Sequence, residues 1–303
     1  MKRSLLLAQI MSTPWALMPE TLNAMAGILR RWQAGEPLPA ATHQRIEADQ
    51  SLRAARKAST QAGSGQIAVL PLYGIITQRG NMVDALSGPG SCSTQQFAAA
   101  LSDALNDPAV EQILIDIDSP GGSVYGVEEL AAQILAARGQ KPVVAVANSL
   151  AASAAYWIGS AASEFYCTPG GEVGSIGVWQ AHEDLSDALK YEGIDVTLIS
   201  AGKFKVEGNP YEPLTAEATA FLQSRVDDYY NAFVAAVAQA RTVKGDEVIN
   251  GMGQGRVMGA SAALSLNMID GIMTFDQVVS LMQSRTKPKA SRLSQARNSL
   301  ALM

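Results

Sequence analysis

Short apolar runs alternate with amphipathic segments in the middle of this chain, from Gln66 to about Met282. The apolar runs have the length and bounding residues of buried strands, and they cover residues 67–72, 113–117, 142–147 and 196–199. The segments between and around them have helical periodicity and cover residues 95–106, 127–138, 154–162 and 184–192. Alternation of strands and helices is typical of a parallel sheet with crossover helices, so we predict an α/β fold of stacked β-α-β units.

The regions that flank this middle zone have different patterns. Apolar residues at helical spacing predict an amphipathic helix from about Pro19 that ends at 35–37, and residues 59–65 are typical of a flexible linker. Residues from Ser284 onward include five basic side chains and no acidic one, which is typical of a solvated tail. We therefore divide the chain into a helical N-terminal segment with its linker (1–65), an α/β domain (66–282) and a basic tail (283–303).

A long helix is predicted at the end of the α/β domain, from Thr215 to Ala240. Thr215 is a suitable N-cap residue, and Glu217 places acidic charge in the first turn, where the helix dipole favours it.

Composition excludes several classes of protein. Hydrophobic residues make up 48% of the 303 residues and charged residues 17%, which excludes a disordered chain and a disulfide-stapled miniprotein. The net charge of −5 argues against a nucleic-acid binder that works through a basic face. No apolar run approaches the roughly 18 residues of a membrane span, and the first residues lack the cleavage site of a signal peptide. We therefore expect a cytoplasmic protein.

Cysteine and histidine are both scarce. Cys92 and Cys167 are far apart and lack metal-ligand spacing, which fits a reducing compartment. The only histidines are His43 and His182, so the sequence argues against a multi-histidine metal site. A Ser-His-Asp centre would have to use one of these two.

Four loop motifs carry the candidate chemistry. Segment 118–123 follows a buried strand, and its paired glycines can present backbone N–H groups to a ligand oxygen. Ser153 lies where a strand leads into an apolar helix, and a helix N-terminus favours developing negative charge. The other two motifs are segment 174–178, which contains Ser175, and the lysine-bearing loop 200–210. Each motif alone is also compatible with a turn or with an N-cap serine.

Taken together and in this order, the motifs resemble peptidase family S49, the signal-peptide-peptidase-A-like serine proteases. Within the family they are most similar to phage capsid-assembly proteases, with segments 182–186 and 205–210 as the phage-type features. The resemblance extends over roughly residues 66–280 and is also suggested by residues 12–17. It implies a Clp/crotonase-like fold and serine endopeptidase activity without a metal or cofactor, and the missing membrane anchor argues against degradation of signal peptides in the envelope.

The resemblance also implies roles for individual residues. Ser153 matches the nucleophile, Lys205 the general-base lysine, and Ser175 the serine that orients this lysine. The backbone N–H groups of Gly122 and Ala154 match the donors of the oxyanion hole.

A lysine can accept the proton of a serine only when it is neutral, and the reference pKa of a lysine, about 10.4, requires burial without a counter-ion. We therefore expect the nearby carboxylate of Glu207 to point away from Lys205.

Four alternatives to this mechanism or function remain open. A Clp-type triad would use His182 as the base, which lies four positions beyond the usual spacing from the serine. A crotonase-type acyl-CoA enzyme would share the fold, but the sequence has no matching signal for its carboxylates or nucleotide pocket. The chain could also be a catalytically silent structural head protein or, within S49, a bacterial peptide-degrading enzyme.

The resemblance further implies substrates and partners. The substrates would be phage or prophage head proteins, namely scaffold, portal or capsid precursors and the enzyme itself, processed in the host cytoplasm or inside procapsids. Small residues around Ser153 suggest small side chains beside the scissile bond. Relatives form rings, some with sites built across a subunit boundary, so we expect a homo-oligomer that uses the first 60 residues and the basic tail for docking.

Overall fold

The computed structural model describes residue 10 and residues 13–36, 66–79 and 92–286. The linker predicted at 59–65, His43 and the basic tail from residue 287 lie outside the described residues.

The described residues form alternating strands and helices. In chain order these are β1 (Trp15–Leu17), α1 (Pro19–Ala34), β2 (Ile67–Tyr73), β3 (Ile76–Thr77), β4 (Cys92–Ser93), α2 (Thr94–Asn106), β5 (Gln112–Ser119), β6 (Gly121–Ser123), α3 (Val127–Ala137), β7 (Val143–Ala152), α4 (Ala154–Ser160), β8 (Glu164–Cys167), β9 (Glu172–Gly174), α5 (Ser186–Tyr191), α6 (Ala216–Arg241), α7 (Gly245–Gly251), β10 (Val257–Gly259), α8 (Ala260–Ser265), β11 (Gly271–Ile272) and α9 (Phe275–Thr286).

The larger sheet has the strand order β10-β9-β7-β5-β2, and β8 and β11 continue it beside β7. Strands β2, β5 and β7 are parallel, and α2 and α3 lie in the connections between them. Strand β7 pairs with β5 along one edge. Its other edge is long enough for two strands in succession, since its first half pairs with β8 and its last residues pair with β9. The α/β architecture of stacked β-α-β units, predicted from the sequence, is confirmed.

The smaller sheet has the order β1-β6-β3-β4 and begins where β5 ends. Strand β6 follows β5 after Pro120 and lies between β1, to which it is antiparallel, and β3, to which it is parallel. The smaller sheet is therefore attached to the carboxyl end of a central strand, the edge at which open α/β sheets bind their ligands.

The core lies on both faces of the larger sheet. One face packs against α2, α3, α4 and α6, and the other face packs against Val278 and Met282 of α9. Helix α4 is buried along its whole length, and the Trp157 ring of α4 stacks on the Phe233 ring of α6 with their centroids 4.6 Å apart. Helix α6 thus covers the helix that begins next to Ser153.

Truncation of the stacked ring in α6 tests this packing. We expect Phe233→Ala to lower the free energy of unfolding by about 3 kcal/mol, because the side chain is fully buried and its removal leaves a cavity. Phe221→Ala on the same helix is the matched control, since Phe221 is 53% exposed. Chemical denaturation of both variants measures the difference, and equal stabilities would contradict the assigned packing.

Most predicted helices agree with the structure, but one predicted strand was wrong. Thr215 caps α6, since its side chain accepts a hydrogen bond of 3.0 Å from the Ala218 N–H. Residues 194–200, however, have no regular secondary structure, and Ile199 is 96% exposed. An apolar run becomes a strand only beside another backbone, and the structure gives this run no neighbouring strand. Within the described residues, no helix is both long enough and apolar enough to span a bilayer.

Candidate active site

Ser153 occupies a strained turn between β7 and α4. Its backbone angles are φ 56° and ψ −118°, and the residue is 1% exposed. A positive φ is uncommon for a residue other than glycine, and strain of this kind is found mostly at functional sites. Ser153 is at the N-cap position of α4, but its hydroxyl makes no capping hydrogen bond and instead lies 3.4 Å from the Gly177 carbonyl oxygen. The simple N-cap interpretation therefore does not account for this serine.

The paired glycines of β6 lie directly against Ser153. Gly121 has φ 101°, and a Cβ placed on it would be 3.0 Å from the Cβ of Ser153 and would clash with the Ala16 carbonyl oxygen. The preceding turn is held by Ser119, whose hydroxyl donates to the Gly74 carbonyl at 2.6 Å and accepts from the Gly121 N–H at 3.2 Å. The absence of side chains at this point lets backbone N–H groups approach the serine.

Ser175 reaches the site from the neighbouring strand. Ala152 and Gly174 are register partners in β7 and β9, and the Ser153 N–H donates to the Gly174 carbonyl at 2.6 Å. Ser175 follows Gly174 directly, is 8% exposed and has φ 55°. Because these parallel strands end side by side, Ser153 and Ser175 both lie in strained turns at the same edge of the sheet.

Gly122 and Ala154 are the two residues whose N–H groups were predicted to form the oxyanion hole. Gly122 lies in β6, and Ala154 is the first residue of α4 and is fully buried. The first N–H groups of an α-helix have no acceptor within the helix. The ends of three strands and the start of one helix therefore bring together Ser153, Ala154, Ser175 and the glycines of β6.

Lys205 is exposed, as are residues 200–204 before it, whereas residues 206–210 of the same loop are partly buried. Within the described parts of the chain its ammonium group has no hydrogen-bond or ion-pair partner, and neither Ser153 nor Ser175 contacts it through a hydrogen bond. Glu207 forms no ion pair with it. The neighbouring Lys203 is paired with Glu217 at 2.9 Å and lies over the Phe204 ring.

His182 is oriented toward this lysine loop. Its Nε2 lies 3.0 Å from the Asn209 carbonyl oxygen, and because a carbonyl only accepts, Nε2 must donate there. The Leu185 N–H also donates to the Pro210 carbonyl at 2.8 Å. Segment 182–185 thus supports the loop that carries Lys205, and the Nε2 of His182 is not free to accept a proton from a serine.

In residues 13–36, 66–79 and 92–286, no group of three or more His, Cys, Asp or Glu side chains could hold a metal ion. The groups that the structure brings together here are hydroxyl groups and backbone N–H groups.

The family model for Peptidase family S49 matches residues 136–289. The chain belongs to peptidase family S49. The matched region contains Ser153, Ser175 and Lys205 and begins after Gly122.

Two phage proteins are similar to this S49 chain over most of its length. It is 33% identical to the capsid assembly protease C of Escherichia phage lambda over 242 residues. The matched region covers 80% of this chain and 54% of that protein. It is 34% identical to the head-tail preconnector protein GP5 of Enterobacteria phage P21 over 216 residues. The matched region covers 71% of this chain and 42% of that protein. The S49 chain thus spans about half the length of these relatives.

Among solved structures, this S49 chain is similar to a mutant of the 1510-N membrane-bound stomatin-specific protease. The TM-score is 0.45 and the sequence identity is 16%, over 72% of this chain and 84% of that chain.

One feature beside the site was missed by sequence reasoning. Strand β1 pairs with β6 directly next to Ser153, and Trp179 pairs with the other side of β1. The run Trp15–Leu17 is only three residues long, too short to give a period-two signal. The resemblance of residues 12–17 to the family was the only sign of it.

Proposed function

We propose that this chain is a serine endopeptidase whose nucleophile is Ser153. The observation that carries the proposal is the strained, uncapped turn of Ser153 at the start of α4, with Gly121 against it and Ser175 in the adjacent turn. An N-terminal helix turn favours a developing negative charge, and close glycines leave room for the backbone of a peptide substrate.

In the proposed reaction the Ser153 hydroxyl attacks the carbonyl carbon of the scissile bond and transfers its proton to the neutral amine of Lys205. The Gly122 and Ala154 N–H groups stabilise the oxyanion, which is the kind of interaction that contributes most to acyl transfer. Collapse of the tetrahedral intermediate breaks the C–N bond, and the Lys205 ammonium gives its proton to the leaving amine, which leaves an acyl-enzyme. Water then attacks the acyl group as Lys205 takes its proton, and the returned proton restores the Ser153 hydroxyl as the acid product leaves. Ser175 orients the lysine through a hydrogen bond.

We infer that the lysine completes the site within a homo-oligomer. A general-base lysine must be removed from water, but Lys205 is exposed in the single chain. The segment around it exposes large apolar side chains, and patches of this kind mark interaction surfaces: Tyr191, Ile194, Val196, Leu198, Ile199, Phe204 and Tyr211. Association with a second copy would bury this segment and place Lys205 beside a Ser153.

The substrates that we propose are phage or prophage head proteins, namely scaffold, portal or capsid precursors and the enzyme itself, processed in the host cytoplasm or inside procapsids. The two phage relatives, a capsid assembly protease and a head-tail preconnector protein, support this class of substrate.

Co-expression with the proteins encoded by neighbouring genes tests the substrate class. We expect mass spectrometry to detect new termini in a head protein with the native chain and none with Ser153→Ala. New termini that persist with Ser153→Ala would assign the cleavage to a host protease. An absence of new termini with both chains would favour a silent head protein.

A further inference from the structure

Strand β1 lies between the two segments that border Ser153. On one side it is antiparallel to β6, with Trp15, Ala16 and Leu17 opposite Ser123, Gly122 and Gly121. On its other side the Trp15 N–H donates to the Trp179 carbonyl at 2.8 Å, and the Trp179 N–H donates to the Trp15 carbonyl at 3.0 Å. An extended piece of the chain's own N-terminal segment therefore fills the space between β6 and the segment that follows Ser175.

The hydrogen-bond pattern of this ladder identifies the partner of Gly122. The Met18 N–H donates to the Pro120 carbonyl at 3.1 Å, and the Val124 N–H donates to the Pro14 carbonyl at 3.3 Å. Hydrogen-bonded pairs alternate along an antiparallel ladder, so the next such pair is formed by Ala16 and Gly122. The Gly122 N–H, which the proposed mechanism uses for the oxyanion, thus faces the carbonyl oxygen of Ala16.

The side chains of β1 divide between two environments. Ala16 is fully buried in the main core, on the side of Ser153, where its carbonyl oxygen approaches Gly121. Trp15 and Leu17 point the other way into a separate small cluster with residues of α1, Ile75 and Trp179. The β1 side chain that joins the main core is therefore small, as expected of the side chain beside a scissile bond.

We propose that β1 is a built-in occupant of the peptide-binding channel and that the chain is autoinhibited until β1 leaves. This inference rests on the proposed function of Ser153. With Ala16 paired to Gly122, a substrate backbone can pair neither with β6 nor with Trp179, and its scissile carbonyl cannot reach the Gly122 N–H.

The attachments of β1 are compatible with its release. Its large side chains pack in a satellite cluster that is distinct from the main core, and the Trp179 indole N–H donates to the Leu17 carbonyl at 2.9 Å. Helix α1, which follows β1, is held to segment 182–186 by an exposed ion pair between Arg30 and Glu183 at 2.7 Å. Exposed ion pairs contribute little to stability, so this ion pair adds little to the attachment of α1.

A proline substitution in β1 tests this proposal in the full-length chain. Ala16→Pro removes the N–H that pairs with Gly122 and adds a ring in a tight space, so we expect kcat/KM for a peptide substrate to rise about tenfold or more. Such a rise corresponds to a channel that is open in a tenth of molecules or fewer before the change. Glu20→Pro is the matched control, because Glu20 is exposed in the first turn of α1, where proline is tolerated, and its activity should equal that of the native chain.

A binding experiment in the Ser153→Ala background separates this proposal from the proposed function. The probe is a fluorescent peptide with the sequence of residues 13–18, and we expect Ala16→Pro to bind it at least tenfold more tightly than Glu20→Pro does. Tighter binding without cleavage by any Ser153 chain would support the channel and contradict the peptidase. Equal binding and equal cleavage by the two proline variants would show that β1 is a permanent part of the fold and would overturn the inference.

A gentler variant covers the case in which Ala16→Pro does not fold. Trp179→Phe keeps an aromatic ring but removes the indole N–H that donates to the Leu17 carbonyl and part of the ring that packs in the small cluster. Because both changes weaken the attachment of β1, we expect about a threefold rise in both peptide binding and cleavage. No change in either quantity would overturn the inference.

Discussion

Replacement of Ser153 by alanine is expected to lower kcat for peptide hydrolysis by at least about 1,000-fold, because the hydroxyl forms the acyl-enzyme. Lys205→Ala should lower kcat to a similar extent, since serine attack requires a base. The chain contains a matched control for the lysine, because Lys203 lies two positions away on the same loop and is paired with Glu217. Lys203→Ala should retain most of the activity. His182→Ala should retain more activity than Lys205→Ala does, because it removes only a contact with the lysine loop, at the Asn209 carbonyl.

Mixing the two inactive variants tests whether the dyad forms between chains. If Ser153 and Lys205 come from different copies, oligomers reassembled from Ser153→Ala and Lys205→Ala chains contain some complete sites and should regain part of the native activity. If both groups come from one chain, the mixture stays inactive. Full activity of Lys205→Ala alone would exclude the dyad, and loss of activity in His182→Ala alone would favour a histidine base.

Substitution of Gly122 by alanine is expected to have the second largest effect, lowering activity by about 100-fold or more. A Cβ at this position would run into the backbone of Ile76 in the neighbouring strand β3, so β6 must move away from β3. That movement displaces the Gly122 N–H, and removal of one oxyanion donor typically costs 100- to 1,000-fold in rate. We also expect a lower melting temperature, because the pairing of β6 with β3 is disturbed.

Gly170→Ala is the control for this substitution. A Cβ on Gly170 would meet nothing within 4 Å, so neither activity nor the melting temperature should change. Peptide cleavage and thermal unfolding of both variants provide the comparison. Native activity in Gly122→Ala would contradict the role of this backbone N–H, whereas low activity with native stability would indicate a local effect on the site.

Much of the fold follows from local patterns. Strands β2 and β5 were predicted within two residues of their ends because strands buried on both faces are continuous apolar runs. The helices were predicted from their periodicity, and α6 also from its N-cap Thr215. The position of Ser153 at a strand-to-helix junction was also predicted from a local pattern, because an apolar strand leads there into an apolar helix.

Other features depend on contacts between distant parts of the chain. Residues 194–200 are apolar enough for a strand but have no regular structure, because strand formation requires a partner backbone that local composition does not supply. Strand β7 continues to Ala152, beyond its apolar run, since β9 pairs with its last residues. The exposure of Lys205 likewise depends on what covers its loop, which a lysine's neighbours in sequence do not determine.

The sequence by itself determined the order of the β-α-β units, the resemblance to S49 and the residue types available for catalysis, since all of these depend on neighbours along the chain. Only the tertiary structure decided that Ser153 takes a strained turn against Gly121 and that Ala16, more than a hundred positions earlier in the chain, faces Gly122. A ladder between β1 and β6 joins segments that are far apart in the chain, and three residues are too few to encode that pairing in a local pattern.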